Sequence, residues 1–203
     1  MSFDYLGLSD ELLSAVRDAG YTEPTPIQKK TIPSTLQGRD ILGIAQTGTG
    51  KTASFTLPMI DILAQGRARA RMPRSLILEP TRELAAQVEE SFDKYGKNSK
   101  LTCALLIGGT DFAGQVKKLD KGVDVLIATP GRLIDHCERG KVILKDAKII
   151  VIPAIATHNR GLAVLFRIIF CSSIGIPVVI TLKRFCRTLM LIELKVNKQK
   201  MQT

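Results

Sequence analysis

Residues 41–52 read Ile-Leu-Gly-Ile-Ala-Gln-Thr-Gly-Thr-Gly-Lys-Thr, a short apolar run followed by a turn rich in glycine and threonine. The run at 41–45 predicts a strand, and a helix is predicted to begin at Lys51. In that context the backbone N–H groups of the turn and of the helix N-terminus can point at phosphate oxygens. Lys51 can neutralise phosphate charge and the Thr52 hydroxyl can bind Mg²⁺, so the stretch predicts a phosphate-binding loop. The residues assigned to it are Ala45, which stands where such loops usually carry glycine, and Gln46, Thr47, Gly48, Thr49, Gly50, Lys51 and Thr52.

Short apolar runs alternate with amphipathic segments along most of the chain. Strands are predicted at 41–45, 76–78, 103–107, 123–128 and 149–152. Helices are predicted at 9–19, from Thr25 and Pro26, from Lys51, from Arg82, near Gln115 and at 132–138. Short apolar strands alternating with helices are typical of βαβ units. We therefore expect an α/β fold, with a parallel sheet that carries helices on both faces.

The composition changes near residue 153. The chain has 203 residues and a net charge of +10, but residues 1–152 contain 21 basic and 18 acidic side chains. Residues 153–203 contain 8 basic residues and one acid, Glu193. The length suits one domain, because a two-domain motor needs roughly 350 residues. Four scattered cysteines without metal-ligand spacing, and an opening segment that is short, polar and acidic, favour a cytoplasmic location.

The segment upstream of the predicted loop links the chain to a known family. Residues 20–28 read Gly-Tyr-Thr-Glu-Pro-Thr-Pro-Ile-Gln, and Phe3 is an isolated aromatic further upstream. Together they resemble the Q motif of DEAD-box RNA helicases. In that family the glutamine contacts the adenine edge as donor and acceptor and the aromatic ring stacks nearby. The resemblance therefore implies a RecA-like fold and ATP selectivity from Gln28 and Tyr21, with Phe3 and Thr22 in the same motif.

Three further matches follow in the family's order. They are Pro80-Thr81-Arg82-Glu83-Leu84-Ala85, then Gly108-Gly109, then Thr129-Pro130-Gly131-Arg132, and each follows a predicted strand. In the family these segments hold the sugar-phosphate backbone of single-stranded RNA through side-chain and backbone donors. The resemblance implies RNA as the partner, bound with little sequence preference because the backbone rather than the bases is contacted. It covers residues 3–152, which we assign as the ATP-binding domain.

The family's Asp-Glu-Ala-Asp motif is missing. It should follow the strand at 149–152, where the chain reads Pro153, Ala154, Ile155 and Ala156. The first Asp would hold Mg²⁺ and the Glu would orient the attacking water. Glu193 is the next acid downstream, so the sequence indicates that no substitute lies nearby. We expect severely impaired ATP hydrolysis, with ATP and Mg²⁺ still bound.

Residues 153–203 match nothing in the family and are interpreted as an aberrant basic, apolar tail on a domain incomplete at its C-terminal end. A shifted reading frame, a retained non-coding segment or a sequencing error would produce such a change. Three functions stay open: the first domain of an ATP-dependent RNA helicase, a nucleotide- and RNA-binding fragment without turnover, and a soluble domain anchored by the apolar run at 161–182. No membrane association is expected from that run, and protein partners cannot be read from the sequence.

Overall fold

In the computed structural model of the protein, the residues described are 2–46, 48–66, 72–153 and 188–193. A 3₁₀ helix at Phe3–Leu6 opens the chain. The helices are α1 (Asp10–Asp18), α2 (Pro26–Leu36), α3 (Lys51–Ala64), α4 (Arg82–Tyr95), α5 (Phe112–Asp120) and α6 (Pro130–Glu138). The strands are β1 (Ile41–Ile44), β2 (Ser75–Leu78), β3 (Cys103–Leu106), β4 (Val125–Ala128), β5 (Ile149–Pro153) and β6 (Thr188–Glu193).

The strands form one parallel sheet in the order β1-β6-β5-β2-β4-β3. Strand β2 lies between β5 and β4, so that Ile77 is opposite Val151 on one side and Ile127 on the other. Parallel strands require crossover connections, and helices α3 to α6 provide those between consecutive strands from β1 to β5. This arrangement confirms the predicted parallel α/β fold.

Alternate strand residues build a separate core on each face of the sheet. Ile77, Ile127 and Val151 pack with apolar residues of α1, α3 and α4. Their immediate neighbours Leu76, Leu126 and Ile150 face the other way. They belong to a second cluster, which includes Leu119 of α5 and Leu133 of α6. Because side chains alternate along a strand, strands that are apolar at every position bury both faces. The predicted placement of helices on both faces is therefore confirmed.

Several element boundaries differ from the predictions by one or two residues. Helix α6 begins at Pro130 rather than Arg132, since proline is well suited to the first helical position. Strand β4 begins at Val125 rather than Val123, and just before it the Asp124 carboxylate is bound to the Arg74 guanidinium at 2.8 Å. The predicted start of α2, with Thr25 as N-cap and Pro26 in the first turn, is confirmed.

One strand was not predicted from the sequence. Thr188–Glu193 lies between β1 and β5 and runs parallel to both, with Leu191 opposite Leu42 and Ile152. Six residues of the segment interpreted as foreign to the domain therefore pair with its strands, and the interpretation of residues 153–203 as an aberrant tail stays a prediction. The apolar run at 161–182 and the positions Ala154, Ile155 and Ala156 lie outside the described residues. No helix in the described part of the chain has the length and apolarity needed to cross a membrane.

Candidate nucleotide and RNA site

Four of the described helices begin at the carboxyl edge of the sheet. Helix α3 follows β1, α4 follows β2, α5 follows β3 and α6 follows β4, each after a short connection. The first turn of a helix has backbone N–H groups without partners inside the helix, and the helix dipole adds a partial positive charge there. This edge is therefore suited to bind anions, and all the predicted phosphate and RNA segments follow strands that end on it.

The predicted phosphate loop joins β1 to α3. Its backbone turns through Gly48 and Gly50, whose φ angles of +78° and +80° favour glycine. The Lys51 ammonium donates hydrogen bonds to the carbonyl oxygens of Ala45, at 2.7 Å, and Gln46. Burial lowers the pKa of Lys51. The lysine thus lies across the loop at the start of α3, while Thr47 lies outside the described residues.

Gln28 connects helix α2 to the phosphate loop. Its Oε1 accepts a hydrogen bond from the Thr25 backbone N–H at 2.9 Å, and its Nε2 donates to the Gly50 carbonyl oxygen at 3.1 Å. A Cβ on Gly50 would lie 2.4 Å from Nε2, so only glycine allows this approach. A side-chain amide has two N–H groups and two lone pairs, and each of these contacts uses one. One N–H group and one lone pair of the Gln28 amide remain beyond these contacts, on a residue that is 2% exposed.

The aromatic residues of the predicted adenine motif lie in different environments. Tyr21 is 41% exposed, and its ring contacts the Tyr95 ring with 6.1 Å between centroids and the Lys94 ammonium at 5.1 Å from its centroid. Thr22 is exposed. Phe3 is 4% exposed and belongs to the hydrophobic core, so its ring cannot stack on a ligand without leaving that core. Tyr21 is therefore the better placed of the two rings for stacking on a base.

The three segments predicted to bind RNA meet in one open cleft of about 590 Å³. Its lining residues are Pro80, Thr81, Arg82, Glu83, Gly108, Thr129, Gly131, Arg132 and Asp135. Arg82 is exposed and its guanidinium lies over the Gly108-Gly109 turn. Gly109 has a φ of +79°, and a Cβ there would lie 2.4 Å from Arg82 Nη1. Pro130 starts helix α6 beneath the cleft.

Arg132 is held in place within the cleft. Its Nε donates to Gln115 Oε1 at 3.0 Å, its Nη2 donates to the Thr110 carbonyl oxygen, and its Nη1 lies 3.4 Å from Asp135 Oδ2. Asp135 also accepts a hydrogen bond from Arg139 at 2.6 Å, and the two guanidinium groups hold the pKa of its carboxyl below the usual range. A guanidinium has five N–H groups, so two remain beyond these contacts.

Gln115 and His136 lie behind Arg132 and were not singled out from the sequence as site residues. His136 is fully buried, its ring stacks on Phe112 at 4.2 Å between centroids, and its Nε2 lies 2.8 Å from Gln115 Oε1. Burial, and then the nearby Arg132, lower the pKa of His136. The sequence gives no signal of the contact between Gln115 and His136, because the two residues lie on different helices.

Glu79 corrects the prediction that no acid lies near the missing catalytic motif. It follows β2 at the carboxyl edge, next to the strand β5 that the Asp-Glu-Ala-Asp motif should follow. Glu79 is 8% exposed, and desolvation raises the pKa of its carboxyl to about 7. Glu79 and Pro153 are 74 residues apart in the sequence, so their closeness could not be predicted from it. It results from the parallel pairing of β2 with β5.

A metal site built from protein ligands alone is not found in the described part of the chain, where no group of three or more His, Cys, Asp or Glu could hold an ion. Pro153 ends β5 in place of the family's first Asp. A Mg²⁺ ion that binds through phosphates and water needs fewer protein ligands. The Thr52 hydroxyl at the start of α3 fits that mode.

Comparisons with known proteins agree with the geometry. Residues 25–153 match the family described as DEAD/DEAH box helicase. An ATP-dependent RNA helicase CshA of Limosilactobacillus reuteri is 44% identical over 152 residues, which are 75% of this chain and 30% of that protein. An ATP-dependent rRNA helicase rrp3 of Aspergillus terreus is 47% identical over 140 residues, 69% of this chain and 31% of that protein.

Two solved structures share the fold. A DEAD box protein from the hyperthermophile Methanococcus jannaschii matches with a TM-score of 0.74 and 32% identity, over 98% of this chain and 51% of that one. A hypothetical ATP-dependent RNA helicase from Sulfolobus tokodaii matches with a TM-score of 0.76 and 27% identity, over 94% and 52% of the two chains. The chain thus spans about a third of the length of these curated relatives and about half of these solved chains.

The buried carboxyl of Glu79 leads to a prediction about stability and pH. Because its pKa in the folded protein is raised to about 7, the folded state keeps a proton that the unfolded state releases above its ordinary value near 4.5. Glu79 therefore reduces stability progressively from pH 4.5 to 7, by on the order of 3 kcal/mol in total. Glu79→Gln should remove this loss, and urea unfolding from pH 4.5 to 8 measures it.

The expected result is a stability difference between Glu79→Gln and the wild type that grows with pH and levels off above pH 7. The matched control is Glu90→Gln, at an exposed position of α4. A difference for Glu79→Gln that stays constant over this pH range would show that the carboxyl is not desolvated.

Proposed function

The chain belongs to the DEAD/DEAH box helicase family, and on that premise we propose that it binds ATP with Mg²⁺ and the sugar-phosphate backbone of RNA at the carboxyl edge of its sheet. One observation carries the proposal: the phosphate loop and the cleft that joins the three predicted RNA segments open on the same edge, at the N-termini of α3, α4 and α6. Both ligands are polyanions, and this edge concentrates backbone N–H groups and basic side chains.

For ATP, the chain's own residues divide between the phosphates and the base. Lys51 would exchange its bonds to the loop carbonyls for bonds to phosphate oxygens, and Thr52 would hold Mg²⁺, which neutralises phosphate charge. The donor and acceptor that Gln28 keeps free match the adenine edge, which presents an amino group beside a ring nitrogen. Tyr21 supplies an exposed ring for stacking. These features favour adenine over guanine.

For RNA, the cleft offers charge and backbone donors without any base-reading pocket in its lining. Arg82 and Arg132 supply the cationic groups, while Thr81 and Thr129 lie at helix starts. Contacts of this kind position a strand without reading its sequence. We expect binding to be strongly salt-dependent and nearly uniform across sequences, because the released counterions rather than the bases dominate the free energy.

We propose that binding in this chain proceeds without efficient hydrolysis. The matched relatives include RNA helicases, but positions 153–156 hold no carboxylate, and Glu79, which follows the neighbouring strand β2, is largely buried. Losing a general base commonly costs about 10²- to 10⁴-fold in rate. We do not propose that this chain alone unwinds RNA, because it spans only about a third of the length of the matched helicases. A cytoplasmic location is proposed because RNA is found there and the cysteines lack a disulfide pattern.

The lysine of the phosphate loop gives the first test of ATP binding. Lys51→Ala should weaken ATP binding by about 10- to 100-fold, because a charged hydrogen-bond donor to the phosphates is lost. Equilibrium titration with a fluorescent ATP analogue in the presence of Mg²⁺ measures the effect. The matched control is Lys121→Ala, an exposed lysine that ends α5 at the opposite edge of the sheet. Equal affinities for Lys51→Ala and the wild type would reject the proposed nucleotide site.

The exposed arginine of the cleft tests RNA binding. Arg82→Ala should weaken binding of single-stranded RNA for all sequences alike, and should reduce the slope of log affinity against log salt by about 0.7, the contribution of one phosphate contact. Fluorescence anisotropy with two oligonucleotides of unrelated sequence over several salt concentrations measures both. Arg39→Ala, at an exposed position just before β1, is the matched control. A loss confined to one sequence would contradict a backbone-directed cleft.

A further inference from the structure

Gln115 makes four polar contacts although only 6% of it is exposed. Its Nε2 donates to the Ile107 carbonyl oxygen at 2.9 Å and to Thr110 Oγ1 at 2.6 Å. Its Oε1 lies 3.0 Å from Arg132 Nε and 2.8 Å from His136 Nε2. Two N–H groups and two lone pairs are all that a side-chain amide has. Every one of them is used.

The chemistry of these partners fixes the orientation of the amide. The Ile107 carbonyl can only accept a hydrogen bond, so the nitrogen of the amide must face it and the oxygen must face Arg132. The oxygen can only accept, so His136 Nε2 must carry a proton. His136 Nδ1 is buried and has no hydrogen-bond partner among the residues that the structure describes. This arrangement leaves Nδ1 without a proton and the ring neutral, which agrees with the lowered pKa of His136.

The two arginines of the cleft differ in their support. Arg132 is bound through Nε, Nη1 and Nη2, and its guanidinium also lies over the Phe112 ring at 5.1 Å from the centroid. Arg82 is exposed and packs over two glycines. Immobilising a long side chain on binding costs about 0.5–1.5 kcal/mol, and a side chain that is already immobile avoids that cost. Arg132 is therefore prepared for a phosphate in a way that Arg82 is not.

We propose that Gln115 is a positioning residue for RNA binding. It joins the turn at 107–110 to Arg132, so that the remaining guanidinium N–H groups of Arg132 face the RNA backbone. His136 fixes the orientation of the Gln115 amide. This inference rests on the proposed RNA cleft. Gln115 itself touches no RNA, because it is buried behind Arg132. Its effect on binding passes through Arg132 alone.

The test is a double-mutant cycle on RNA affinity. Gln115→Met keeps the length and volume of the side chain and removes all four polar contacts. We expect it to bind single-stranded RNA about 2- to 10-fold more weakly than the wild type. In an Arg132→Gln background the same substitution should have no further effect. The salt slope should fall by about 0.7 in Arg132→Gln, which loses one phosphate contact, and should keep its wild-type value in Gln115→Met, where Arg132 still makes that contact. ATP affinity should not change, because the nucleotide site lies at the phosphate loop between β1 and α3.

A purely structural role gives a different result. If Gln115 only ties α5 to α6, its effect on RNA affinity adds to that of Arg132→Gln, and this outcome overturns the inference. Should Gln115→Met fail to fold, His136→Phe decides. It keeps a ring against Phe112 and removes one partner of Gln115, so weaker RNA binding with unchanged ATP binding supports the inference and unchanged RNA binding overturns it.

The same titrations separate this inference from the function on which it rests. If Arg82→Ala and Arg132→Gln lower RNA affinity and Gln115→Met does not, the cleft binds RNA and only the positioning role is wrong. If neither arginine substitution changes RNA affinity, the cleft is not the RNA site and both proposals fall.

Discussion

The parallel pairing of the strands is the constraint on which the rest of the structure depends. Because every strand runs the same way, each crossover helix that follows a strand begins at the same edge of the sheet. The N-termini of α3, α4 and α6 therefore meet there, together with the phosphate loop and the cleft. The two buried cores, one on each face, hold these helices against the sheet and so fix the distances between the two candidate sites.

Each candidate site depends on a close approach that only glycine permits. Gly50 lets the Gln28 amide reach the phosphate loop, and Gly109 lets the Arg82 guanidinium lie on the turn beside it. The Gln28 amide is held there by a backbone carbonyl, whereas the Arg82 guanidinium only packs on the turn. Lys51 is held by backbone carbonyl oxygens of the phosphate loop. Arg132 is held by a backbone carbonyl oxygen and by the buried amide of Gln115. The protein itself thus orders Gln28, Lys51 and Arg132 before a ligand binds, whereas Arg82 lacks this support.

Much of this organisation can be predicted from the sequence, because it depends on local patterns. The apolar runs predicted the strands β1 to β5, and the Thr25-Pro26 pair predicted the start of α2. What could not be predicted depends on contacts between distant elements. Gln115 gains its role only when α6 brings Arg132 and His136 to it, and Glu79 comes near the end of β5 only through strand pairing. Strand β6 was missed because the surrounding residues change composition and because its apolar run, at 189–192, is only four residues long.

The most direct test of the account is single-turnover hydrolysis of radiolabelled ATP by the full chain, with Mg²⁺ and saturating RNA, alongside a binding measurement on the same sample. The reference variants are Lys51→Ala and a fourfold substitution that restores Asp-Glu-Ala-Asp at 153–156. The account predicts that the wild-type chain binds ATP and RNA but hydrolyses ATP no faster than Lys51→Ala. RNA-stimulated hydrolysis by the wild-type chain that Lys51→Ala abolishes would contradict it, and would show that another group replaces the missing carboxylates.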